Sequence, residues 1–248
     1  VAGHNKWSKI KRKKAINDSR KGANFSKLTR EIQVAVREGG GPEPESNFRL
    51  KIAIDRARQG GLPNDNIERA VQRASGVGAD GADYETVQYE GYGPGGVAVI
   101  AIALTDNRNR TAAEIRSAFN RHGGALGESG SVAWQFNTVG QIVLPVNGHD
   151  PDELSLQAID AGASDVTADE EEVVITTEPA DLNAVAVALR ESGLEIEDMS
   201  LTRIPQAQVD IEGSQANTAI RLLEALEDLD DVSEVYTNAS FSEEMVSA

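Results

Sequence analysis

Residues 141–203 read QIVLPVNGHDPDELSLQAIDAGASDVTADEEEVVITTEPADLNAVAVALRESGLEIEDMSLTR, and their reading decides the fold. Gln141–Val146 is a strand pattern, and Asp150-Pro151 opens a helix that runs to about Ala161. Two short strands are predicted near Ser164–Thr167 and Glu172–Thr177. Pro179 is read as the start of a second helix with Leu182, Val185, Ala186 and Leu189 on one face and Gly193 as its stop. Glu195–Arg203 is the last strand. The order βαββαβ is that of a ferredoxin-like unit.

Working outward, the flanking segments are each half a domain. Before the unit, Tyr84–Gly91 and Val97–Thr105 read as strands; the second is apolar throughout and so central. Thr111 with Glu114 three residues on reads as a capping box for a helix whose stripe is Ile115, Ala118, Phe119 and His122. After the unit come a strand at Ala207–Ile211, a helix at Ser214–Leu229 and a strand at Val232–Thr237, which cannot fold alone. The economical expectation is an α+β protein in which the two flanks complete one α/β domain, residues 77–134 plus 206–248, with the ferredoxin-like domain 135–205 inserted. Val77–Asp83 reads as a linker.

Residues 1–76 read as a helical domain. Phe25, Leu28, Ile32 and Ala35 make one stripe, ended by Gly39-Gly40-Gly41-Pro42. Ser46 or Asn47 caps a second helix carrying Leu50, Ala53, Ile54 and Ala57. Asn64 or Asp65 caps a third carrying Ile67, Ala70, Val71 and Ala74. Three short stripes can be buried only against one another.

The charge is unevenly placed. Gly3–Arg30 holds ten Lys or Arg against one acid, while the whole chain has 24 basic and 40 acidic residues. Such density repels itself unless a polyanion neutralises it. The candidate nucleic-acid-binding residues are therefore His4, Asn5, Lys6, Trp7, Lys9, Lys11, Arg12, Lys13, Lys14, Arg20, Lys21, Lys27 and Arg30. An anionic membrane would call for a broader apolar face than Trp7 and two Ile provide. Trp7 and His4 suit either stacking on a base or packing. Arg108, Asn109 and Arg110, in the loop Thr105–Thr111, are candidates for a second phosphate contact, with internal ion pairing as the equal alternative.

Enzyme chemistry finds little footing. There is no cysteine, which excludes thiol catalysis, and no lysine after Lys51, which excludes Walker A and kinase lysines further on. Gly91–Gly96 matches Gly-x-Gly-x-x-Gly but precedes a strand, so it reads as a hairpin turn. His4, His122 and His149 lack partners at metal-ligand spacing. Asp169–Glu172 reads as a charged turn. No catalytic residue, metal, cofactor or small-molecule substrate is expected. The longest apolar run, Val97–Leu104, is too short to span a membrane, and the basic start lacks the apolar segment of a secretory signal. The expected setting is cytoplasmic.

Five motifs in order resemble the YebC family: the opening AGHNKWSKIK, LPNDNIERA at 62–70, YEGYGPGG at 89–96, TDNRNRT at 105–111 and GESGSVAW at 127–134. That family includes proteins described as probable transcriptional regulators and the mitochondrial translational activator of cytochrome c oxidase. The resemblance implies three domains, one inserted in another, and a cytoplasmic, non-enzymatic regulator of gene expression. It implies two partners, promoter DNA or the ribosome and its RNA, the latter with help through difficult stretches such as consecutive prolines. A protein-only adaptor that docks a basic partner is a further alternative.

Overall fold

The structure is a computed structural model that describes residues 21–76 and 84–241. The chain divides into two compact units: one from the residues up to Phe136 together with those from Ile204 onward, the other Asn137–Arg203.

In the first unit, helices α1 (Lys21–Glu38), α2 (Phe48–Gln59) and α3 (Asn64–Ala74) bury their stripes against one another. Ile32, Leu50, Ala53, Ala57, Ile67 and Ala70 form the shared core, with Phe25 and Leu28 at its edge. Asn47 explains the α1–α2 turn. Its Oδ1 accepts from Leu50 N–H, and its Nδ2 donates to the carbonyls of Ala35 and Gly41. One side chain thus caps α2 and stops α1. The cap expected for α3 differs: Pro63 occupies that position with no side-chain hydrogen bond. Pro63 fixes φ for the helix start, and Asn64 is already helical.

The sheet of this unit has the order β3-β1-β2-β9. It comprises β1 (Glu85–Tyr92), β2 (Ala98–Thr105), β3 (Ala125–Leu126) and β9 (Val232–Thr237). β2 lies between β1 and β9, both antiparallel to it. The C-terminal strand therefore supplies what the segment after residue 84 lacks. α4 (Arg108–Arg121) and α7 (Gly213–Glu227) bury Ile115, Phe119, Leu222 and Leu226 against Val97, Val99, Ala101 and Ala103. Ala98, Ile100 and Tyr236 face the other way and pack on Val132 and Phe136. Burial on both faces accounts for the unbroken apolar run of β2. A short parallel pair, β8 (Val209–Asp210) with β10 (Ala239–Ser240), completes the unit. The longer strand expected at Ala207–Ile211 shrinks to those two paired residues.

The second unit carries β4 (Phe136–Pro145), α5 (Pro151–Asp160), β5 (Asp165–Ala168), β6 (Glu172–Thr177), α6 (Leu182–Glu191) and β7 (Asp198–Pro205). Its sheet order β5-β6-β4-β7 is the ferredoxin-like arrangement. Two boundaries move. Pro179 sits in a turn and α6 begins after Asp181. β7 begins at Asp198, three residues later than expected. Leu154, Ala158, Leu182, Val185 and Leu189 are buried from the helices, and Ile142, Leu144, Val173 and Ile175 from the strands.

The glycines of Gly91–Gly96 divide between two tasks. Gly95 and Gly96 have positive φ and make the β1–β2 turn, as the hairpin reading requires. Gly91 lies within β1, where an added Cβ would come within 2.9 Å of the ring of Phe119 and within 2.6 Å of the Ala125 carbonyl oxygen. Gly91→Ala should therefore lower stability by about 1–3 kcal/mol through overpacking, read as a lower urea midpoint with unchanged slope. A parent-like midpoint would show that α4 can shift away from β1.

Candidate nucleic-acid interface

The densest part of the basic stretch, with His4, Asn5, Lys6, Trp7, Lys9, Lys11, Arg12, Lys13, Lys14 and Arg20, lies outside the described residues, as does the expected linker at 77–83. Lys21 opens α1. The last two candidates, Lys27 and Arg30, are placed, and both turn inward to the α/β part of their own unit. Lys27 Nζ donates to the carbonyl of Glu227 at the end of α7. Arg30 Nη1 donates to the Asp230 carbonyl at 2.6 Å and to Asp231 Oδ1 at 3.1 Å, and its guanidinium lies 5.0 Å from the centre of the Tyr84 ring. These cations anchor α1 at the C-terminal end of a helix, where carbonyls and the helix dipole favour positive charge.

Asp231 gathers the surrounding groups. Its side chain is only 4% exposed. Oδ2 accepts from Thr111 Oγ1 at 2.6 Å, Arg110 Nη2 at 2.6 Å and Thr105 Oγ1 at 3.1 Å. Burial acts to raise the carboxyl pKa. The hydrogen bonds from Thr111, Arg110 and Thr105 outweigh it and hold the group below the usual carboxylate range. Arg110 is correspondingly held more firmly protonated by its hydrogen bonds to Asp231 and Asp106.

The loop Thr105–Thr111 is shorter than its sequence suggests. α4 starts at Arg108, and its cap is Asn107, whose Oδ1 accepts from Arg110 N–H at 3.1 Å. The expected Thr111–Glu114 capping box does not form, because the Thr111 hydroxyl is buried and donates toward Asp231. Arg108 pairs with Glu85, and Arg110 bridges Asp106 and Asp231. Asn109 is exposed beside them. Of the two readings open for Arg108 and Arg110, internal pairing is the geometry present, with Glu85 and Asp231 as partners that no local spacing indicates.

Two further ties join the helical bundle to the sheet. Arg56 Nη1 bridges Glu31 and Glu234, each at 3.1 Å. Glu38 accepts from the backbone N–H and hydroxyl of Thr86.

The glycine-rich segment 127–131 also has a definite task. The carboxylate of Glu90, 2% exposed, accepts from the backbone N–H groups of Gly130, Val132 and Ala133 at 2.8, 2.9 and 2.8 Å, and from Gln88 Nε2 at 2.8 Å. Burial would raise its pKa, but these donors lower it on balance. An acid on a half-buried strand ahead of a glycine-rich loop is the only sequence sign of this arrangement.

Known proteins agree with this architecture. Residues 5–77 match the TACO1/YebC protein N-terminal domain, and residues 84–239 match the TACO1/YebC second and third domain. The chain belongs to the TACO1/YebC family. A relative from Thermomicrobium roseum, named "Probable transcriptional regulatory protein", is 60% identical over 248 residues and covers all of both chains. One of the same name from Rubrobacter xylanophilus is 48% identical, covering 99% of this chain and 98% of its own. The crystal structure of a conserved hypothetical protein, Aq1575 from Aquifex aeolicus, is similar with a TM-score of 0.84 at 45% identity, covering 91% of this chain and 93% of that one. This TACO1/YebC member is thus a regulatory-family protein by its relatives. Among the described residues no helix is long and apolar enough to cross a membrane.

The Asp231 cluster makes a testable statement about acid stability. A depressed carboxyl pKa stabilises the fold above the unfolded value of about 3.9, and that contribution is lost as pH falls through the lower folded value. Asp231→Asn should cost on the order of 3 kcal/mol at neutral pH, because two guanidinium groups lose their shared carboxylate. It should also flatten the acid limb of stability below about pH 4. Urea unfolding at neutral and acid pH checks both; an unchanged acid limb would remove Asp231 from the account.

Proposed function

We propose that this chain is a non-enzymatic, cytoplasmic regulator of gene expression that docks on the phosphate backbone of a nucleic acid through its basic N-terminal segment. The observation that carries this reading is the segregation of charge: ten cations against one acid in Gly3–Arg30 of a chain with net charge −16. Each phosphate neutralised by Lys or Arg releases counterions, so affinity resides there. The inward anchoring of Lys27 and Arg30 supports a division of labour within the stretch. Its end holds α1 to the α/β part, and the cluster Lys9–Lys14 is left to carry the contact. The relatives' name, "Probable transcriptional regulatory protein", agrees with a regulator acting on DNA.

One observation keeps ribosomal RNA beside promoter DNA as a second reading of the partner, because it weakens sequence reading. α3 is a poor base reader: Arg69 turns back on its own helix, donating to the Asp65 carbonyl and Asn66 Oδ1, which leaves Gln72 and Arg73 exposed. Phosphate contacts position a protein without reading sequence.

The test replaces Lys11, Arg12, Lys13 and Lys14 together by Ala in the full chain. Binding to labelled nucleic acid should nearly vanish while the unfolding midpoint stays at that of the parent. For the parent, log affinity should fall with log salt by about 0.9 per phosphate contact on duplex DNA and about 0.7 on single strands. A variant that binds like the parent would sink the reading. Ribosomes and random-sequence duplex offered in competition decide between the two partners.

A further inference from the structure

Beyond residue 76 the chain holds seven positively charged Lys or Arg residues, and four of them, Arg108, Arg110, Arg116 and Arg121, fall on α4, which has a single acid, Glu114. The first two are taken up by Glu85, Asp106 and Asp231. Arg116 and Arg121 have no ion pair or side-chain hydrogen bond among the described residues. With Ala113, Ser117 and Asn120 they form an open patch on the outer face of α4. The spacing 113, 116, 117, 120, 121 is that of one helix face, opposite the buried Ile115, Ala118 and Phe119. Ala113 provides the room, and the other four side chains all carry hydrogen-bond donors.

We propose that this face of α4 is a second phosphodiester-binding surface, contacting the same nucleic acid that the basic N-terminal segment holds. The inference rests on that docking reading and adds a site to it. The charge complement and the donor set suit phosphate oxygens. A lipid surface is a poor occupant, because the face offers no large apolar side chain. The two arginines are five positions apart, about 7.5 Å along the helix axis. That is close to two phosphate steps, each about 3.4 Å, along the axis of one strand. Acids far outnumber cations in the chain beyond residue 76, so four arginines on one helix are not a by-product of overall composition.

The experiment compares the full-length parent, Arg116→Ala/Arg121→Ala, Arg116→Lys/Arg121→Lys and the four-residue basic-segment variant. A labelled random-sequence DNA duplex and a labelled RNA hairpin serve as separate probes. On the probe the parent binds, the double Ala variant should lose about 1.4–1.8 from the slope of log affinity against log salt, two contacts' worth. The double Lys variant should keep most of it. Both positions are exposed, so the unfolding midpoint should not move. A parent-like slope for the double Ala variant overturns the α4 site, while loss in the basic-segment variant would leave the docking reading standing. If only the double Ala variant loses binding, α4 is the contact and the basic segment is not. A parent that binds neither probe overturns both.

Discussion

One buried carboxylate, that of Asp231, ties together pieces of chain far apart in sequence. It accepts from Thr105 at the end of β2, from Arg110 and Thr111 in the first turn of α4, and from Arg30 on α1. Its own carbonyl receives the Leu104 N–H, fixing the point where β9 begins beside β2. The helical bundle, the central strand, α4 and the C-terminal strand therefore meet at one side chain. A carboxylate buried with a single partner would be a liability; here two hydroxyls and two guanidinium groups complete its coordination, which is the condition under which buried charge holds structure together.

The same arrangement explains how an acidic chain deploys few cations. Lys27, Arg30, Arg56, Arg108 and Arg110 each meet an acid or a carbonyl within their own unit. They act as fasteners between elements that are far apart in sequence. Among the described residues of α4, Arg116 and Arg121 are the cations that no acid reaches. In such a chain the number of cations says less about its surface than which of them the fold pairs internally.

The architecture was legible in the sequence because it rests on local periodicity. The three helical stripes, the βαββαβ order and the need of residues 84–134 for extra strands all follow from spacing and turn residues. What was not legible depends on distant partners. Thr111 and Glu114 fit a capping box by spacing, but a carboxylate 120 residues away draws the hydroxyl inward and Asn107 takes the cap. For Arg108 and Arg110 the spacing leaves phosphate contact and internal pairing equally open; Arg110 does pair with the nearby Asp106, but Glu85 and Asp231 become adjacent only after folding. The patch of Arg116 and Arg121 has no local sequence signature, because a helix face becomes a surface only once the opposite face is buried.

The glycine-rich segment 127–131 carries the same lesson to anion binding. A run of backbone N–H groups converging on one point is the usual way a loop holds a phosphate. Here the converging groups of Gly130, Val132 and Ala133 are filled by the chain's own Glu90, which reaches them from β1. Gly127 N–H adds a bond to the Glu90 carbonyl, so the loop is pinned to the strand at both the backbone and the side chain. An internal carboxylate satisfies these donors and turns an anion-binding geometry into a structural clasp. The consequence for Val132 and Phe136 is direct: held by that clasp, they close the face of the sheet that α4 and α7 do not cover.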